Sequence, residues 1–303
     1  MKLTQAQVET FHREGYLAVD GVLAAEDLDP LIADFDALVD EVARDLRDEG
    51  AIDALYADAP FEKRIAYLTR AAGTSLQGRV SFPNNLRRPL YDFLNNAKLH
   101  DLLESLIGPE IYCHPCQHIR PKLPDGFVGG DYEDFAGKSP AHQDAGVLLP
   151  EADETMVVTS WIPLVDATEE TGTLQVYPRL HRGEIRRHEN APGYGLTIVP
   201  ELLPETEPVT VPVAKGGVLL LHGRTPHGSD INRSDIVRWS MDLRYQQTGT
   251  PTGRPYNPDF VARSRSNPSS EFRDYDEWCR LWVEALKEIK GKAIKGHRWA
   301  VVI

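Results

Sequence analysis

Apolar side chains recur at helical spacing through the first third of the chain. Val8 and Phe11 mark a short amphipathic helix over Gln5–Glu14, and Thr4 followed by Gln7 supplies a capping-box signature at its start. Gly15-Tyr-Leu-Ala-Val19 reads as a short strand. Leu28, Leu31, Ile32, Phe35, Leu38, Val39, Val42 and Leu46 then predict a long helix that tolerates Pro30 in its first turn. Two further periodic segments, residues 61–71 and 89–107, each end at a glycine, Gly73 or Gly108, as helix C-termini prefer.

From Ile111 the pattern breaks into short β-rich runs at residues 111–120, 155–163, 173–178, 196–199, 209–213, 217–222 and 237–246, separated by Pro, Gly and Asp. That spacing predicts an antiparallel sandwich or barrel. Residues 123–140 and 249–270 are long, Gly/Pro-rich connections, and their lengths suit loops that close over a site. Tyr275, Trp278, Leu281, Trp282, Ala285, Leu286 and Ile289 predict a closing amphipathic helix.

Composition narrows the function classes. Of 303 residues, 41% are hydrophobic and 26% charged, the balance of a globular chain with a sizeable core. The net charge of −13 has the wrong sign for phosphate neutralisation, so nucleic acid is not an expected partner. The longest apolar runs, such as residues 217–221, fall far short of the ~20 residues a membrane span needs. The opening residues lack a secretory pattern, and a cytoplasmic location is expected. Cys113 and Cys116 form a CxxC without a second pair and read, with Cys279, as ordinary thiols.

The candidate chemistry lies in the β-rich part. In His142-Gln-Asp144, strand alternation would aim both outer side chains at one side. His227 follows the apolar run 217–221, and two imidazoles with one carboxylate suit the facial arrangement of non-haem iron oxygenases. Arg238 lies eleven residues beyond His227, with Ser229 and Asn232 between, and a guanidinium can hold a carboxylate by a charge-assisted fork. Bland readings suit the other histidines: His12, His100, His181 and His188 read as structural, and His222 competes with His227 but lacks its Asn and Arg at the right spacing. Asp242 and Arg244 share strand parity with Arg238 and suit either the cavity or an internal ion pair. Trp161, Tyr177, Trp278 and Trp282 read as packing aromatics.

Together these motifs resemble the phytanoyl-CoA dioxygenase family of Fe(II)/2-oxoglutarate-dependent oxygenases. The resemblance runs from residues 3–17 through His142-Gln-Asp144, Trp161-Ile-Pro-Leu164, residues 171–178, His181-Arg182 and residues 227–234, ending near Gln246. It implies a mainly β protein with flanking helices: a double-stranded β-helix (jelly-roll, cupin-like) core, N-terminal helices and a C-terminal helix. One domain is expected, with a helical part of about 1–110, a core of about 111–247 and an extension of about 248–303.

By the same resemblance His142, Asp144 and His227 are the iron ligands, and Arg238 with Ser229 takes the distal carboxylate of 2-oxoglutarate. Gln117, or its neighbour His118, would face the cosubstrate; Asn232 and Gln143 match recurrent family positions, and Asn232 joins the cofactor-binding set. O2 is the second cosubstrate and succinate the coproduct. Related halogenases lack the ligand carboxylate, so the presence of Asp144 implies hydroxylation or another oxidation. Pro178-Arg-Leu-His-Arg182 departs from the family's usual Pro-Gly-Ser-His-Arg turn. The expected substrate is a small molecule, a carboxylate or secondary metabolite. The competing readings are a cupin-like hydrolase or isomerase with another metal, in which Arg238 anchors the substrate itself, and an inactive binding protein of the same fold.

Overall fold

Thr4 caps α1 (Gln5–Glu14) with the expected reciprocal box, and the helix ends at Gly15, whose φ of 83° is left-handed. Glycine is required there twice over, because a Cβ would lie 2.4 Å from the His181 ring and 2.6 Å from the Thr225 hydroxyl. The Gly15 carbonyl accepts hydrogen bonds from the Thr225 hydroxyl at 2.7 Å and the His222 N–H at 2.9 Å, docking α1 onto the loop that leads to His227. This computed structural model describes residues 1–126, 137–191, 195–290 and 297–299.

After β1 (Tyr16–Val19) come α2 (Ala25–Asp48), α3 (Phe61–Ala72), the single turn α4 (Gln77–Val80), α5 (Arg88–Leu94) and α6 (Ala97–Ile107). The segment 89–107, read as one helix, is two. Asn96 accepts from the N–H groups of Lys98 and Leu99, and this N-cap restarts the chain in a new direction. The run 111–120 is likewise divided, into β2 (Glu110–Cys113) and β3 (His118–Lys122), with Pro115 in the gap. The remaining elements are β4 (Ser139–His142), β5 (Val158–Pro163), β6 (Leu174–Val176), β7 (His188–Ala191), β8 (Gly195–Ile198), β9 (Val209–Val211), β10 (Val218–His222), β11 (His227–Ser229), β12 (Arg238–Gln247), β13 (Phe260–Ser264) and α7 (Tyr275–Ile289).

The strands form a seven-stranded antiparallel sheet in the order β1-β10-β5-β12-β2-β13, with β3 also on β12, and a four-stranded sheet β4-β11-β6-β9; β7 and β8 make a hairpin. Mainly antiparallel sheets with helices at both ends are the architecture expected of the jelly-roll class. The large sheet recruits β1 from the helical N-terminal part and β13 from beyond residue 247. Within the segment 249–270, Phe260 and Val261 pair with Cys113 and Tyr112, while Arg254 and Asn257 border a cavity. Of the other long connection, residues 127–136 lie outside the described residues.

One strand shows how core and site are built together. Along β12 every residue from Arg238 to Gln246 is buried, and pleating sends alternate side chains to opposite faces. Trp239, Met241, Leu243 and Tyr245 join the main hydrophobic core beneath the helices. Trp239 stacks on Phe61 and Phe35, with ring centroids 4.9 and 6.2 Å away. Arg238, Asp242 and Arg244, on the other face, line a cavity. Trp278 and Trp282 pack on Phe82 as the helical pattern implied.

Several histidines are buried within this frame. Burial pushes His100 down to about 4, His222 to about 4 and His114 to about 3 from an ordinary 6.5. A base whose folded pKa is depressed is protonated more readily by the unfolded chain, so its contribution is intact above pH 6.5 and erodes as pH falls toward the folded values. Urea midpoints should therefore drop steadily from pH 6.5 to about 4. His100→Gln, which keeps a donor toward the Leu94 carbonyl 3.0 Å away, should flatten part of that slope. A profile unchanged by the substitution would count against this origin.

Candidate metal and cosubstrate site

Antiparallel pairing of β4 with β11 sets His142 directly opposite His227. Their ring centroids are 4.4 Å apart. Asp144 is not on the same strand, as the alternation argument assumed; β4 ends at His142, and Asp144 opens a 3-10 turn, Asp144–Val147. The turn nonetheless brings its carboxylate inward, so that one donor atom from each of His142, Asp144 and His227 lies within 4.8 Å of the others. His222 is elsewhere, its ring tilted against that of His181 with centroids 5.2 Å apart. Gln143, between His142 and Asp144 in sequence, donates its amide to the carbonyls of Arg224 and Glu184 and accepts from the Arg186 N–H, fixing the turn from outside.

Both Asp144 oxygens are held from the large sheet: the Thr159 hydroxyl of β5 donates at 2.5 Å and Arg244 of β12 at 2.6 Å. Burial alone would raise this carboxyl, but Arg244 and the two imidazoles hold it far below the carboxylate range. Burial, then the neighbouring His227, brings His142 down to about 3, leaving its ring neutral and free to ligate. Two imidazoles and one ionised carboxylate fit a divalent cation with positions to spare. Arg244 and Thr159 are functional neighbours that spacing did not single out, although the parity of Arg244 with Arg238 was legible.

Arg238 lines the same cavity, beside Lys122 of β3, its direct partner in the ladder. The Lys122 amine donates to the Ser229 hydroxyl at 3.0 Å and to the Gly137 carbonyl at 2.7 Å. Arg238 donates to the Ser240 hydroxyl at 2.7 Å and lies 5.1 Å above the Trp161 ring, so that aromatic is part of the site wall as well as of the core. Burial, and then Arg238 itself, pushes Lys122 well below its usual range; burial brings Arg238 down to about 10. The buried Arg238 Nε has no hydrogen-bond partner among the described residues. Two adjacent buried cations with an orphaned donor make a ready site for a carboxylate. Lys122 was missed because a lone lysine at the end of a short run has no pattern.

Gln117 and Asn232 are both engaged with backbone. Gln117 borders the cavity, but its carbonyl accepts from the Arg244 N–H at 2.8 Å and its amide donates to the carbonyls of His114 and Arg244. It thus continues the β12 ladder across the gap between β2 and β3. Asn232 does not line the cavity. Its amide donates to the carbonyls of Lys122 at 3.0 Å and Ile236 at 2.7 Å, and its oxygen accepts from Ser234, so it ties the end of β3 to the approach to β12. Both side chains bond to backbone of the residues that carry the site's cations, Gln117 to Arg244 and Asn232 to Lys122. His118 does border the cavity, which has a volume of about 720 Å³.

A jelly-roll in which paired sheets bring two imidazoles and a carboxylate to one end of a cation-lined cavity defines the non-haem iron oxygenase class. The chain belongs to the phytanoyl-CoA dioxygenase family, whose model matches residues 11–240. It is an enzyme of the Fe(II)/2-oxoglutarate-dependent type, with O2 as the other cosubstrate. It is 22% identical over 284 residues to phytanoyl-CoA dioxygenase domain-containing protein 1 of Bos taurus, covering 85% of this chain and 94% of that one. To the ectoine dioxygenase of Halomonas elongata it is 25% identical over 279 residues, covering 86% and 76% respectively. In fold it is similar to the epimerase SnoN, solved with Fe3+, alpha ketoglutarate and nogalamycin RO, at a TM-score of 0.56 and 20% identity over 83% of this chain and 88% of that one. No helix among the described residues is long and apolar enough to cross a membrane.

Proposed function

We propose that the chain is a single-domain dioxygenase that hydroxylates or otherwise oxidises a small organic molecule, a carboxylate or secondary metabolite, while 2-oxoglutarate is decarboxylated to succinate. His142, Asp144 and His227 hold the iron, and Arg238 and Lys122 take the distal carboxylate of 2-oxoglutarate, with Ser229 orienting the lysine. Bound iron supplies the activation of O2 and the oxidation of the substrate. The observation that carries this reading is the pair of buried cations, Lys122 and Arg238, facing the same cavity as the three-donor cluster. A dianion with one end for the metal and one for the cations matches both.

The protein's own residues do the rest. Arg244 and Thr159 keep the Asp144 carboxylate ionised and aimed. Phe82, Val147, Leu196 and Trp282 give the cavity apolar walls that limit water around a substrate, and 720 Å³ falls within the usual range for small-molecule sites. Anaerobic addition of Fe(II) and 2-oxoglutarate should produce the weak visible charge-transfer band of a chelated 2-oxo acid. The band should vanish in His227→Ala and Arg238→Ala. Bound iron without a band in the unaltered protein would defeat the proposal and favour a hydrolase, isomerase or inactive reading.

A further inference from the structure

Residues 298 and 299 lie beyond the stretch that the family model matches and pack against the turn that carries Asp144. Arg298 Nε donates to the Leu148 carbonyl at 2.9 Å, and its Nη2 donates to the Ala145 carbonyl at 3.2 Å and the Asp153 carboxylate at 2.5 Å. Trp299 Nε1 donates to the Gly146 carbonyl at 2.8 Å. Two side chains thereby take two carbonyls of the turn, Ala145 and Gly146, and that of Leu148 just after it. A 3-10 turn of four residues has poor hydrogen-bond geometry of its own and depends on such outside partners.

The same pair reaches the other side of the ligand segment. The Trp299 ring stacks on His188, with centroids 5.9 Å apart and an angle of 25°. His188 Nε2 accepts from the backbone N–H of Gln143, the residue between His142 and Asp144, at 3.0 Å. Gly146 fits beneath only because it has no side chain, since a Cβ would lie 2.5 Å from the His188 ring. Val147 of the turn and Asn190 and Ala191 of β7 line the cavity, so the contact also joins the ligand turn to the cavity wall.

We infer that Arg298 and Trp299 are positioning residues, a clamp that fixes the backbone of the Asp144 turn so that its carboxylate meets the two imidazoles. Resting on the iron-site reading above, the inference assigns the clamp a specific task. Arg244 and Thr159 pull the Asp144 side chain toward the large sheet, and its Oδ1 already lies 4.0 Å from His142 Nε2. The clamp keeps the backbone from following that pull.

The test uses the full chain, titrated anaerobically with Co(II) in place of Fe(II) and followed by calorimetry and by the visible ligand-field spectrum, with thermal melts of each metal-free protein alongside. Loss of groups that orient metal ligands weakens metal affinity by roughly 10–100-fold. Arg298→Ala should fall in that range with an altered Co(II) spectrum, and Arg298→Lys should recover part of the loss. Trp299→Phe, which keeps the ring on His188 and removes only the donor to Gly146, should show a smaller weakening. Unchanged affinity and spectrum in Arg298→Ala and Trp299→Phe, or a lowered melting temperature with affinity intact, would overturn the clamp while leaving the iron site standing. A wild-type protein that binds neither Co(II) nor Fe(II) with 2-oxoglutarate would sink both.

Discussion

Asp144→Ala is expected to abolish metal binding and, in the metal-free protein, to cost about 3–5 kcal/mol, because the substitution leaves a buried guanidinium without its counter-charge. Arg244 and Asp144 are 4% and 3% exposed at their side chains and 2.6 Å apart, so water cannot replace the lost partner. Burial opposes the Arg244 charge, and Asp144 raises it again. His142→Ala should abolish metal binding as completely but with a much smaller loss of stability, since among the described residues its ring's hydrogen bonding is a 3.4 Å approach to the Pro140 carbonyl. The double variant Asp144→Ala/Arg244→Met should regain most of the stability and none of the metal affinity. Urea unfolding of the metal-free proteins, set beside calorimetric metal titration, reads both quantities. Equal stability losses in the two single variants would show that Arg244 finds compensation elsewhere.

The second large effect separates stability from affinity in the opposite sense. Lys122→Met and Arg238→Met should each weaken 2-oxoglutarate binding roughly 100-fold or more, within the 2–5 kcal/mol typical of truncating one member of a buried charge pair. The metal-free proteins should be as stable as wild type or more so. Each cation is buried beside the other, and the burial penalty and mutual repulsion that depress the Lys122 amine are relieved when one charge is removed. Affinity is read from the growth of the charge-transfer band with added 2-oxoglutarate, and stability from urea melts in its absence. A Lys122→Met protein that binds 2-oxoglutarate like wild type would remove lysine from the anion site and leave Arg238 alone there.

Much of this was legible before any coordinates. Apolar periodicity located α1, α2, α3 and α7, and the short β runs located most of the large sheet, because long or regular elements leave a repeating pattern. The strands β4, β7 and β11 are three or four residues long, too short for alternation to register, yet β4 and β11 carry His142 and His227. Those residues stood out by motif rather than by pattern. The pairing of Asp144 with Arg244, and of Lys122 with Arg238, crosses 100 and 116 residues of sequence and depends on strand order, which local composition does not encode. For Gln117 and Asn232 only the three-dimensional hydrogen-bond pattern shows that their amides donate to backbone carbonyls.

The two faces of β12 carry a constraint on how this protein can diverge. A slip of one residue in its register would exchange Arg238, Ser240, Asp242 and Arg244 for Trp239, Met241, Leu243 and Tyr245, turning site into core and core into site along the whole strand. Insertions or deletions within it are therefore closed to a lineage seeking new substrates, and catalysis and folding fail together if they occur. Selectivity is free to change only on walls that carry no such double duty, such as Leu196 of β8.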